Sequence, residues 1–116
     1  MMLQSALSTA ALLALVALLL LAASERALAK ATRSPKELNR DAITMAQRGD
    51  LHGSLELFRE LLQADPGNSQ WWNNAGVTLM RLRLYHLSVV HLRQALEIDG
   101  NPDAAANVGL LGELRG

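Results

Sequence analysis

Three histidines, His52, His86 and His91, are the first side chains in this chain that could do chemistry, as metal ligands or as bases. A zinc site would draw on thiolates or on histidines one helical turn apart, and the chain has no cysteine and no His-x3-His spacing. His86 and His91 are five residues apart and do not share a helix face. His52 and His86 fall at corresponding places in two similar stretches, which points to a structural role at helix starts. No Gly-rich phosphate loop follows a strand, and no Ser-His-Asp set or carboxylate pair stands out. The expectation is therefore no catalysis, no metal and no cofactor, and the chemistry left is recognition. Lys+Arg and Asp+Glu are 11 each. That balance lacks the basic excess of nucleic-acid binders, so the expected partner is a protein or peptide.

The elements that would position a recognition surface show as a repeat with a period of about 34 residues. Phe58 aligns with Leu92, Ala64 with Ile98 and Asp65 with Asp99. Upstream, Leu38 aligns with Trp72, Ala42 with Gly76, Met45 with Leu79 and Ser54 with Ser88. A fixed period of this size indicates stacked helical units. The Leu- and Ala-rich composition, poor in aromatics, favours helix over strand. Ser34-Pro35-Lys36-Glu37 reads as a capping box opening a helix with Leu38, Ala42 and Met45 on one face. Gly49-Asp50 breaks it and caps a second helix that buries Leu55, Phe58, Leu61 and Leu62. Asp65-Pro66-Gly67-Asn68 ends that one. A third helix is expected from about Ser69 to Leu82, with Trp72, Ala75, Gly76 and Leu79 inward. A fourth runs from about Tyr85 to Ile98, with Val89, Leu92, Ala95 and Leu96 inward. Asp99-Gly100 stops it, and Asn101-Pro102-Asp103 opens a fifth to about Leu114. Trp72 takes the packing slot; its neighbour Trp71 points elsewhere, either partly buried between units or exposed to a partner.

These residues resemble the tetratricopeptide repeat family, whose pattern is Trp-x2-Leu-Gly-x2-Tyr, then Ala-x3-Phe, then Pro. The second unit supplies Trp72 and Gly76, with Ala75, Leu79, Ser88, Leu92 and Gly100 at the other positions. The first supplies Phe58 and Pro66, with Asp41 in the Leu slot, Ala42 in the Gly slot and Ser54 in the Ala slot. The resemblance implies an all-α, right-handed α-solenoid of about two and a half helix-turn-helix repeats after an amino-terminal hydrophobic helix: residues 35–68, 69–102, and a half unit or cap at 103–116. In this family the first helix of each pair lines a concave groove. That would place Lys36, Arg40, Ile43 and Gln47 in the groove, with Gln70, Asn74, Val77 and Arg81 beside them and Asn39 and Asn73 at its edge. Each set of four is spaced to share one helix face. The groove so composed has three cations and no carboxylate, which suits an acidic segment or a free carboxyl terminus. Some members clamp a chaperone's terminal carboxylate; Asn74 alone matches that clamp, while Asn39, Ile43, Ala104 and Val108 depart from it.

Residues 1–29 form a signal peptide or a signal anchor, and residues 30–34 a linker. Ala10–Ala23 is continuously apolar, about 21 Å of helix, and extending back to Ala6 gives a borderline span. Ala27-Leu28-Ala29 has the small-x-small form of a cleavage site, which favours a secreted protein cut after Ala29. The lack of Lys or Arg ahead of the apolar run, and Arg26, Lys30, Arg33 and Lys36 behind it, favour an uncleaved anchor with the repeats cytoplasmic. The function expected is a non-catalytic adaptor or scaffold. The alternatives are a substrate-docking front of a larger enzyme, or self-association through 103–116, where one helix lacks its pair.

Overall fold

The computed structural model describes the backbone of residues 2–31 and 33–115 and the side chains of residues 8–28 and 33–113. The described residues are all-helical: α1 (Met2–Ala31), α2 (Pro35–Gln47), α3 (Leu51–Ala64), α4 (Ser69–Arg81), α5 (Tyr85–Asp99) and α6 (Pro102–Arg115). The chain divides into two compact units, Met1–Arg33 and Ser34–Gly116. α1 runs past Ala29 to Ala31. Within α1, Ser8–Leu28 is long and apolar enough to cross a membrane. Its 21 residues make about 31 Å of helix, against roughly 30 Å of bilayer hydrocarbon. Leu12, Leu13, Leu15, Val16, Leu18 and Leu19 are all exposed, so this stretch presents apolar side chains around the whole helix.

In the second unit each helix packs on the next, and α2 also touches α4, and α4 touches α6. The helix starts are set by side chains that satisfy the orphan amides of the first turn. Ser34 Oγ accepts from Glu37 N at 3.2 Å while Glu37 Oε2 accepts from Ser34 N at 3.0 Å, a complete capping box with Pro35 behind it. Asp50 Oδ1 accepts from Gly53 N at 2.9 Å, and Asn68 Oδ1 from Gln70 N at 3.0 Å. Asn101 Oδ1 takes both Asp103 N and Ala104 N. α5 is the exception: Leu84 stands at its N-cap and offers no side-chain acceptor. The starts of α2 and α4 are one repeat period apart, as are those of α3 and α5.

Two apolar clusters form the core. Leu38, Ala42, Phe58, Leu61, Trp71 and Ala75 join α2, α3 and α4. Leu92, Ala95, Ala104 and Leu111 join α5 and α6, with Trp72, Met80, Tyr85, Val89, Leu96 and Val108 packed at the edge. Trp71 is the buried member of the tryptophan pair, 8% exposed, and its Nε1 donates to Asp65 Oδ2 at 2.9 Å. Trp72 is only half-buried; it donates to Pro66 O at 2.7 Å and lies 5.4 Å from the His91 ring. The close approach of α4 and α5 depends on Gly76, where an added Cβ would meet Leu92 Cδ2 at 2.7 Å. There Ser88 Oγ donates to Gly76 O at 2.7 Å. Leu110, one further period on from Gly76, is 45% exposed on α6.

Candidate partner-binding cleft

α2 and α4 lie side by side with a cleft of about 150 Å³ between them. α2 contributes Ile43, Ala46 and Gln47, α4 contributes Asn74, Val77, Thr78 and Arg81, and Phe58 of α3 forms the floor. Helical spacing explains the set. Ile43 and Gln47 are one turn apart, and Asn74, Val77, Thr78 and Arg81 fall on one stripe of α4. Five of the ten residues singled out in the sequence therefore meet here: Ile43, Gln47, Asn74, Val77 and Arg81. Ala46, Phe58 and Thr78 were not among them. Phe58 belongs to the inward face of α3, and its ring reaches the cleft only because α2 and α4 leave a gap above it. Ala46 is the third residue after Ile43, a signal that helical periodicity does carry.

The amide side chains around the cleft are largely engaged in hydrogen bonds. Asn74 Nδ2 donates to Asn39 Oδ1 at 2.8 Å, tying α4 to α2, and Gln70 Nε2 donates to Asn74 Oδ1 at 3.0 Å. Gln70 Oε1 in turn accepts from Asn101 Nδ2 at 3.3 Å. Asn101 also donates to Ser69 Oγ, which donates to Asp99 Oδ2 at 2.9 Å. Asn73 is buried, and its Oδ1 accepts from Asn107 Nδ2 of α6 at 3.0 Å. These amides hold neighbouring helices together, and Asn39, Gln70 and Asn73 do not line the cleft.

The cations divide differently from the expectation. Lys36 and Arg40 are exposed on α2 and do not line the cleft; Arg40 Nε stands 3.7 Å from Asp41 Oδ1. Arg81 is the one cation on the cleft wall. Its Nη1 donates to Ala46 O at 3.2 Å, near the carboxyl end of α2, where a positive charge also favours the helix dipole. A guanidinium has five N–H donors, so this contact leaves Arg81 able to bind an acceptor at the cleft mouth. The cleft is thus an apolar slot with one guanidinium, less cationic than the three charges read from the sequence.

The histidines take up no shared site. His52 and His86 are exposed in the first turns of α3 and α5. His91 is half-buried against Trp72, its Nδ1 donating to Leu87 O at 2.8 Å. Among the described residues no group of His, Asp and Glu is placed to hold a metal ion.

No family model matches the chain, and no curated protein matches it.

Proposed function

We propose that residues 34–116 form a tetratricopeptide-like α-solenoid that binds a segment of a partner protein, and that α1 anchors it to a membrane. The observation that carries the binding reading is the α2–α4 cleft. Its wall residues Ile43 and Val77, and Gln47 and Arg81, are repeat equivalents, so both repeats present the same helix face to one slot. A cavity of about 150 Å³ can take a benzene-sized group. The ligand that suits it is a peptide placing one large apolar side chain over Phe58 with a carboxylate beside Arg81. The test pans displayed peptides on the full chain in detergent and counter-screens on Val77→Trp, which fills the slot, and on Arg81→Glu. Binders lost on both variants support the reading. An enriched set indifferent to both sinks it.

For α1, the 21-residue apolar stretch suits an anchor and a signal alike, and the cationic flank and the lack of Lys or Arg ahead of that stretch support the anchor. Intact mass on soluble and membrane fractions tests it. An uncut chain in the membrane is expected; a soluble chain starting at Lys30 would overturn the anchor.

A further inference from the structure

The repeat provides its own control for the outward face of its second helices. At the turn into α3 and along that helix, the chain has Gly49, Asp50, Gly53 and Glu56, of which Gly53 is half-buried and the other three are exposed. The equivalent positions in the next repeat hold Arg83, Leu84, Leu87 and Val90. Two glycines and two carboxylates satisfy the fold at the first turn, so nothing in the fold demands a cation and three large apolar side chains at the second. They also cost stability there. Arg83 sits at φ 61° where Gly49 sits at φ 88°, a left-handed backbone that disfavours a side chain. Leu84 leaves α5 without the cap that Asp50 gives α3. Leu84, Leu87 and Val90 are 42%, 50% and 61% exposed. Arg83, Leu84 and Leu87 line a shallow hollow of about 180 Å³ together with Tyr85 and His86. Arg93 is exposed on the same side of α5, with Glu97 one turn beyond it.

We propose that this face of α5 docks on a lipid bilayer bearing anionic headgroups, an inference that rests on the anchored reading of α1. An apolar strip rimmed by cations is the pattern of an interfacial helix: the apolar residues enter the headgroup–acyl boundary and the cations meet phosphate and carboxylate. The covalent order of the chain supplies the surface. Only residues 32–34 separate α1 from α2, so an inserted α1 holds the second unit within a short tether of the membrane. The flanking cations that place this unit on the cytoplasmic side also place it on the leaflet where anionic lipids concentrate.

The chain has no cysteine, which makes single-site labelling direct. Full-length Val90→Cys, Glu56→Cys and Leu15→Cys, each carrying a nitroxide, would be reconstituted in phosphatidylcholine vesicles with and without phosphatidylserine. Oxygen accessibility is the readout. The expected result is about a two-fold rise at position 90 when phosphatidylserine is present, reversed in about 1 M salt where the screening length falls to about 3 Å. Position 56 should stay aqueous throughout, and position 15 in hydrocarbon. A water-exposed label at 90 in both lipids, with 15 in hydrocarbon, overturns the docking and leaves the anchor standing. A water-exposed label at 15 overturns both. Broadening at 90 that disappears when unlabelled chain is added would put a second copy on the face, and that also overturns the proposal.

Discussion

The two helical pairs, α2–α3 and α4–α5, are built on one pattern and finish it differently. In the first, Ala42 occupies the contact slot, Ser54 Oγ is buried with no hydrogen-bond partner among the described residues, and the turn is Gly49-Asp50. In the second, Gly76 occupies the slot, Ser88 Oγ reaches Gly76 O, and the turn is Arg83-Leu84. The first pair has good turn chemistry and an unsatisfied hydroxyl; the second has a satisfied hydroxyl and poor turn chemistry. Interior fit and outer surface have thus been set independently in two copies of one motif.

Exchanging features between the pairs tests that independence, and the largest effect should come from the paired core residues. Phe58→Ala and Leu92→Ala each remove a fully buried side chain, and by thermal or urea unfolding should cost about 3–5 and 2–5 kcal/mol respectively. A much smaller loss for Leu92→Ala would mean that the second cluster is loosely held. Next, Gly76→Ala must push against the buried Leu92, about 1–3 kcal/mol of overpacking offset by about 1 kcal/mol of helix propensity. A net loss is expected, and a gain in midpoint would show that α4 and α5 are not in close contact. Ser88→Ala should cost about 1 kcal/mol by the same measurement, whereas Ser54→Ala, which deletes an unpaired buried hydroxyl, should be neutral or stabilising. Equal losses would remove the distinction. Smallest, Arg83→Gly should stabilise by up to about 1 kcal/mol and Gly49→Ala should destabilise by a similar amount, since both residues sit at positive φ.

The helix starts were legible because they depend on near neighbours: Ser34 with Glu37, Asp50 with Gly53, Asn101 with Ala104. The repeat period then located each helix pair to within a residue or two. Contacts between pairs were harder to read. Glu37, the counterpart of Trp71, is exposed and engaged in a cap, so the register alone leaves Trp71 open between partial burial and exposure. Its burial comes from Phe58, Leu61 and Ala75, a meeting of α3 with α4 that the repeat does not spell out. The cleft was half legible for a related reason. Periodicity identifies the face that Ile43 and Val77 share, but how far Lys36 and Arg40 lie from the slot depends on where α2 and α4 separate. Whether Asn74 is spent on Asn39 is likewise a matter of interhelical distance.

Leu110 sets where such a chain could be lengthened by design. A helix arriving on α6 as α5 arrives on α4 would meet an isobutyl group in place of the bare Cα of Gly76. Grafting a new helix onto α6 would therefore call for Leu110→Gly first. A duplicate of residues 69–102 spliced into the interior would bring its own glycine with it, so the natural site for added modules lies between the existing helical pairs.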